Sequence, residues 1–452
     1  MDPLSLSTLA AMSGASLISG DPGALALRVS KDTRTLHPGD LYVAFRGEHF
    51  DGHHFIAEAC ARGAVGVLCD GEPPVGLPRN FGVLSTPDSL TGLTLLASAW
   101  RKHLSLRPIV VTGSSGKTSV KDFTARVVRS QFRTTATEGN LNNHLGLPLS
   151  ILCAGSQDQV AVWEIGMNHR GEIAPLAGLA RPEIGIITGI GTAHIEFLGS
   201  RREIAREKGD LLERLPSSGW AIFPAEDDFA AELRARSSSS ILEVGFSEGD
   251  LRASGIVPEN GGSRFVIEGG FGTAEAFLPV PGRHMVGNAL FAVAAGVVLG
   301  IPLNECAASL AGCELTGGRL RRIVRHGVTL LDDTYNANPD SMVAALETLF
   351  SLPGAGRRIA VLGVMGELGT HAKEGYERVG KAAATLDTLI CVGIEASAIA
   401  ETAVSLGLTD ARIAADNEEA ATILASVARA EDLVLLKGSR SARMEEILNA
   451  FA

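Results

Sequence analysis

The chain has 452 residues, 45% of them hydrophobic and 20% charged. This is the balance of a folded globular protein rather than a disordered or fibrous one, and at about 150 residues per domain it predicts roughly three domains. Its 51 acidic and 40 basic residues leave a net charge of −11, which speaks against general affinity for nucleic acid or an anionic membrane and leaves any anionic substrate to a few placed cations.

The opening segment, 1–15, lacks the basic stretch and continuous apolar run of a signal peptide. The longest apolar runs, such as 289–298, stop short of the ~20 residues a membrane span needs. Six scattered cysteines without a CxxC pair read as small buried hydrophobes in a reducing cytoplasm. Lysine occurs only at 31, 102, 117, 121, 208, 373, 381 and 437, and arginine supplies the other 32 basic residues. A lysine that persists inside a motif therefore carries some weight.

In chain order, residues 41–45 follow a His-Pro-Gly-Asp turn and read as a strand. Residues 55–62 have helical spacing closed by Gly63, and 65–68 read as a second strand. Pro, Gly and Asn mark loops between 71 and 88. From Arg107 onward, apolar strands (109–111, 160–165, 184–188, 221–223) alternate with helical segments such as 120–128, as expected for a parallel sheet buried on both faces. Alternation and glycine over 241–280 predict an antiparallel appendage, and 288–299 a helix. A third block begins near Arg319, with strands at 328–331, 359–362, 388–392 and 433–436 and helices at 341–349 and 418–430, predicting its own parallel sheet. The Thr-Gly-Gly-Arg stretch at 316–319 reads as a hinge.

The strongest local signal is TGSSGKTS at 112–119, between a strand and a helix. Gly113 and Gly116 let the backbone curl, so that the N–H groups of Ser114, Ser115 and their neighbours point inward, and the helix N-terminus adds partial positive charge. Lys117 can reach the β- and γ-phosphates of a nucleotide, and Thr118, followed by Ser119, can present a hydroxyl to Mg²⁺. The strict phosphate-loop pattern is broken at Val111, where its first glycine belongs. Glu164 ends an apolar strand and is followed by the polar loop Gly166 to Arg170. His194 lies on a similar loop after 184–188. Ligands of open α/β sheets collect at that carboxyl edge, so both are candidate metal ligands, and two Mg²⁺ sites would suit a reaction between a phosphoryl group and a carboxylate.

TGSSGKTS, GNLNN (139–143), EIGMNHRGEI (164–173), GTAHIEFLGS (191–200), EKG (207–209), RHMVGNA (283–289) and LDDTYNANP (331–339) together resemble the Mur ligase family over the whole chain and in the right order. Residues 32–34, 38–44, 46–47 and 51–53 extend the resemblance to that family's UDP-sugar-binding region. It implies an α/β fold of three domains: an N-terminal UDP-sugar-nucleotide-binding domain over 1–105, a central P-loop parallel-sheet ATP-binding domain over 106–316, and a C-terminal Rossmann-like domain over 317–452.

The implied reaction is ATP-dependent amide formation through an acyl phosphate, in peptidoglycan precursor synthesis. The best-matching branch adds D-Ala-D-Ala to UDP-MurNAc-tripeptide. A sibling that adds one amino acid to a shorter UDP-peptide, or a nucleotide switch that ligates nothing, are the alternatives.

The resemblance also assigns residues. Lys117, Glu164, His194 and Lys208 are expected to be catalytic, with Thr118, Glu164, His194 and a CO₂-derived carbamate on Lys208 holding Mg²⁺. Besides the loop Gly113 to Ser119, Asn288 is expected near adenine, Asp333 near ribose and Arg319 at the phosphates. Substrate contacts are expected from Asp32, Thr33, Arg34, Arg46, Gly47, Asn142, Asn143, Asn168, His169, Asn336, Asn338 and Lys437. Two positions depart from the pattern: Met285 stands where the family usually has Asn, and Val364 where Asp is common. A cytoplasmic monomer is implied, with no nucleic-acid partner and no membrane insertion.

Overall fold

The structure, a computed structural model, describes residues 1–47, 50–259, 261–315 and 317–451; the start of the expected hinge, Thr316, lies outside them. The chain divides into two compact units, one of 1–110, 132–166 and 172–183, the other of 111–131, 167–171 and 184–452.

In the first unit a five-stranded sheet has the order Ser16–Ser19, Gly82–Thr86, Gly66–Asp70, Asp40–Val43, Arg28–Ser30. The first pair is antiparallel and the others parallel. Its central strands are short and nearly all apolar because both faces are covered. Tyr42, Val67 and Val83 are buried with Ile56 from the helix Ile56–Ala61. That helix is shorter than expected, because the chain enters it through a 3₁₀ turn, Gly52–Phe55, capped where Asp51 accepts from the His53 N–H at 2.9 Å. The same unit holds Val160–Glu164 and, parallel to it, Thr134–Ala136. Tryptophan anchors this region: the Trp100 indole N–H donates to the Ala154 carbonyl at 2.9 Å.

The second unit contains two larger sheets. In one, Ile184–Ile187, Trp220–Pro224, Ser240–Gly245 and Leu251–Glu259 run parallel. An antiparallel meander continues through Gly262–Gly269 and Gly272–Leu278. The antiparallel region expected over 241–280 therefore starts later, at the 251–269 pairing: the apolar Ser240–Gly245 strand extends the parallel part. The helix Arg283–Val298 begins five residues before the expected 288, directly after Gly282 at φ +109°.

The second sheet has the order Arg321–Arg325, Val328–Asp333, Leu433–Lys437, Arg358–Leu362, Thr388–Val392, Ala411–Ala414. It is parallel except at Arg321–Arg325, which pairs antiparallel with Val328–Asp333. Three arginines in that five-residue strand hide its sheet character, and it is an edge, where charge is tolerated. One face of the sheet is densely packed: Leu330, Ile359, Ile390, Val434 and Leu436 are fully buried together with Leu424 and Ile447 from covering helices. The register sets which strand ends meet. Lys437 is paired with both Asp333 and Leu362, so three strands end side by side where the strand order reverses, the place where such sheets carry ligands.

Candidate active site

The phosphate loop is shaped by two glycines that no other residue could replace without displacement. Gly113 has φ +148° and a Cβ there would lie 1.9 Å from Thr188 Oγ1; Gly116 has φ +82° and its Cβ would lie 2.6 Å from Asn288 Oδ1. The loop is tied down by its neighbours. Ser114 N–H donates to Gly189 O at 2.9 Å, and the Thr188 hydroxyl donates to Ser115 O at 2.5 Å. The helix Lys117–Val128 starts at Gly116 without a side-chain cap, so its first N–H groups and their partial positive charge are available to an anion. Lys117 Nζ donates to Gly113 O at 2.9 Å. Thr118 and Ser119 are buried.

Arg319 faces this loop. Its Nη2 donates to Thr118 Oγ1 at 3.1 Å and its guanidinium carbon lies 3.9 Å from the centre of the Tyr335 ring. Arg319 Nη1 and Ser114 Oγ are buried with no hydrogen-bond partner. A buried donor left unsatisfied is costly, and a phosphate oxygen is the acceptor that suits a guanidinium. Asn288 sits against Gly116 and points its Nδ2 at Met285 Sδ, 3.5 Å away. The Met285 departure therefore gives Asn288 a soft thioether neighbour.

Lys208 and His194 belong to the same unit. Lys208 lies on the helix Arg201–Glu213, whose start is capped by Ser200, and is 1% exposed. Its amine is on the buried stripe with Ile204, Leu211 and Leu212, not on the solvent face. Burial, reinforced by the charge of Lys117, pushes this amine well below the ordinary lysine range. Burial likewise pushes the His194 imidazole down, against the pull of Glu367, with Lys117 and Lys208 adding repulsion. His194 Nδ1 lies 2.6 Å from Glu367 Oε2, and this contact holds that carboxyl below its usual value. His169 stacks at a tilt on Phe197, centroids 4.9 Å apart. Arg170, next to Asn168 and His169, donates to Leu198 O at 3.2 Å.

Asp333 is not the solvated strand end its sequence allows: it is 8% exposed. Its Oδ1 accepts from Leu320 N–H at 3.2 Å, directly after Arg319, and its Oδ2 accepts from Lys437 Nζ at 2.6 Å. Lys437 also donates to Asn336 O at 2.8 Å. Lys437, expected among the substrate contacts, is 3% exposed and ties two strand ends to the loop after Asp333. Asn338 caps the helix Pro339–Ser351 by accepting from Ser341 N–H at 2.8 Å, and its Nδ2 donates to Ser115 Oγ at 3.1 Å. The next residue but one, Asp340, accepts from the Thr192 N–H and hydroxyl at 2.8 and 2.9 Å and from Arg378 at 2.6 Å.

Glu164 and the Asn-rich loop belong to the first unit. Glu164 is 2% exposed; its Oε1 accepts from Asn142 Nδ2 at 2.7 Å, and its Oε2 is buried without a hydrogen-bond partner. Asn143 is used locally, its Oδ1 accepting from Leu145 and Gly146 N–H groups at 3.2 and 2.8 Å. Elsewhere in this unit, Asp32 caps the 3₁₀ turn Thr33–Thr35, and the Arg34 hydrogen bond lowers its carboxyl to about 2. Thr33 is buried, while the Arg34 side chain is largely exposed. Arg46, beside Gly47, pairs with Asp70 at 3.3 Å and more loosely with Asp51 at 3.8 Å.

Sequence reasoning missed Glu367 and Asp340. Glu367 carried a signal, a carboxylate in a glycine-flanked loop at a strand end. Asp340 carried none beyond its place after a helix-starting proline.

The segments that build this geometry match known protein families. Residues 28–87 match the description "Mur ligase family, catalytic domain", 111–296 "Mur ligase middle domain" and 318–440 "Mur ligase, glutamate ligase domain". The chain belongs to the Mur ligase family. Among family members, the UDP-N-acetylmuramoyl-tripeptide–D-alanyl-D-alanine ligase of Bacillus subtilis (strain 168) is 36% identical over 93% of this chain and 92% of its own length. The same-named ligase of Escherichia coli (strain K12) is 36% identical over 93% of both chains. Of solved structures, MurF from Acinetobacter baumannii superposes with a TM-score of 0.89 at 31% identity, covering 99% of this chain and 98% of that one. The MurF ligase from Thermotoga maritima, solved in complex with ADP, gives 0.82 at 28%, covering 94% and 96%. The three-domain α/β Mur ligase fold expected from the motifs is thus the fold of this chain.

Among the described residues, no three His, Cys, Asp or Glu side chains are grouped to hold a metal by themselves. Mg²⁺ typically takes one or two carboxylates together with substrate phosphates and water. The buried, unpartnered Glu164 Oε2 fits such a ligand, and so do an imidazole kept neutral by burial and the Thr118 hydroxyl.

Proposed function

We propose that this chain joins the terminal carboxylate of UDP-MurNAc-tripeptide to the amine of D-Ala-D-Ala, using ATP and releasing ADP and phosphate. The observation that carries this reading is likeness at 36% identity, over 93% of the chain, to ligases of that name. The phosphate loop faced by Arg319 supports the nucleotide half of the reaction.

A carboxylate is a poor acyl donor, so one of its oxygens first attacks the γ-phosphorus, and the bond to the β-phosphate oxygen breaks to free ADP. The amine nitrogen then attacks the acyl carbon, the C–O bond to phosphate breaks, and the amine loses a proton. The first step needs positioning and charge neutralisation above all. Gly113, Gly116 and the start of Lys117–Val128 cradle the phosphates, and Lys117 neutralises their terminal oxygens once it leaves Gly113 O. Arg319 closes from the opposite side, held by Tyr335 and, through Leu320, by Asp333. Asn288 backs the loop at Gly116 and is assigned to the adenine, Asp333 to the ribose.

The residues that would hold Mg²⁺ are Thr118, Glu164, His194 and Lys208, the last as a carbamate; bound there, the ions would neutralise the transferred phosphoryl group and the attacking carboxylate. Carbamate formation requires an unprotonated amine, and the burial that pushes the Lys208 amine well below the ordinary lysine range favours that form. Asp32, Thr33, Arg34, Arg46 and Gly47 are assigned to the UDP-sugar end, Asn142, Asn143, Asn168, His169, Asn336, Asn338 and Lys437 to the peptide end. We assign domains to 1–105, 106–316 and 317–452, and place the protein in the cytoplasm as a monomer; among the described residues, no helix is long and apolar enough to cross a membrane.

The test is direct. Purified protein is incubated with ATP, Mg²⁺, UDP-MurNAc-tripeptide and either D-Ala-D-Ala or single amino acids. Phosphate release and a UDP-linked pentapeptide should appear only with the dipeptide. Phosphate release indifferent to both peptide substrates, or product from a single amino acid alone, overturns the assignment.

A further inference from the structure

The contact between Glu367 and His194 joins two loops that are each under backbone strain. His194 has φ +65° and Glu367 φ +60°, left-handed values that cost a non-glycine residue roughly 1 kcal/mol or more. Such conformations persist where the surroundings enforce them. Here the enforcing contacts are visible. The Glu196 N–H donates to Glu367 O at 3.2 Å. Gly369, at φ +52°, lies so close to Glu196 that a Cβ would stand 2.9 Å from its Cγ. The loop 367–369 is therefore pressed onto the turn Ile195–Leu198 that His194 begins, and this places Glu367 Oε2 2.6 Å from His194 Nδ1.

We infer that Glu367 is a positioning residue for His194: its carboxylate, 2.6 Å from Nδ1, keeps the proton on that nitrogen, so that the Nε2 lone pair is the one offered to a divalent ion. A carboxylate behind a histidine ligand does this in metal sites generally, and its loss costs metal affinity about 10- to 100-fold. The brace is supplied across the chain's organisation. His194 lies in the segment matching the Mur ligase middle domain and Glu367 in the segment matching the glutamate ligase domain. The histidine is thus fully oriented only when those two segments of the second unit are together, which ties metal affinity to their closure. The inference rests on the metal-ligand reading of His194 given above.

The test uses the full-length protein with a nonhydrolysable ATP analogue, and Mn²⁺ as a spectroscopic stand-in for Mg²⁺. Mn²⁺ affinity is read by electron paramagnetic resonance, and the His194 tautomer by ¹⁵N chemical shifts of the imidazole. In Glu367→Ala, Mn²⁺ should bind about 10-fold or more weakly, and the His194 ring should lose its single Nδ1–H form. Glu367→Gln retains an acceptor and should lose less affinity while keeping the tautomer; it is the variant read if the alanine form does not fold. His194→Ala separates the two readings. If it leaves Mn²⁺ affinity unchanged, His194 is no ligand and the metal assignment fails. If it weakens binding while folded Glu367→Ala changes neither affinity nor tautomer, the positioning role is overturned.

Discussion

Lys208 is the residue whose surroundings say most about its chemistry. Its folded-state titration lies well below the ordinary lysine value because burial excludes the charged form. Between those two values the unfolded chain binds a proton that the folded chain does not, so an unmodified Lys208 lowers stability throughout that window, and stability should rise with pH up to about 10.4. Lys208→Met removes the amine at similar volume, so it should raise the melting temperature in CO₂-free buffer at pH 7 and flatten this slope, while abolishing turnover. Lys208→Ala should also be inactive, with partial rescue by a short-chain carboxylic acid. Full activity of the alanine variant would reject a metal role. The scarcity of lysine and the EKG motif made this residue visible in the sequence. Its burial was not visible, because a helix with charges at Arg201, Arg202, Glu203, Arg206, Glu207 and Asp210 presents no obvious buried face until its neighbours are known. His194 was legible for much the same reason as Glu164: one lies on the loop after an apolar strand, the other at such a strand's end. Its brace Glu367 was not, since the pairing spans more than 170 residues and depends on two strained backbones.

Elements place these side chains, and their ends matter more than their middles. Asp333, Lys437 and Leu362 finish three neighbouring strands in register, and Lys437 ties the first to the loop beyond it. Replacing it by methionine leaves Asp333 buried without its cation. We expect a loss of about 3–5 kcal/mol in denaturant unfolding, with a raised KM for ATP because Asp333 also holds the backbone beside Arg319. Asn338 works at a helix start. Asn338→Ala should cost about 1 kcal/mol for the cap and, by freeing Ser115, weaken nucleotide binding; unchanged ATP affinity would mean the Ser115 contact is incidental. Strand existence and order of appearance were readable from short apolar runs, since strands buried on both faces leave few other options. The edge strand Arg321–Arg325 was not, because its charges mask a β pattern that only its partner stabilises.

At the scale of the whole chain, motif order revealed the family and the nucleotide end of the reaction, but not how the compact units are composed. They are built from several separate stretches each, and a boundary drawn along a linear sequence cannot follow a chain that leaves a unit and returns. Arg319 and the phosphate loop come from stretches more than 190 residues apart, joined at Thr118. A nonhydrolysable ATP analogue should therefore stabilise the fold by mass action, about 2.7 kcal/mol at one hundred times its Kd. In Arg319→Ala the thermal shift at the same concentration should shrink markedly; an undiminished shift would detach Arg319 from the nucleotide. The distribution of lysines has a practical side. Lys121, Lys208 and Lys437 are sealed in and Lys117 is partly enclosed, whereas Lys31, Lys102, Lys373 and Lys381 are open to solvent. Amine-directed immobilisation on a sensor chip would favour those four open lysines over the partly enclosed Lys117 of the nucleotide cradle.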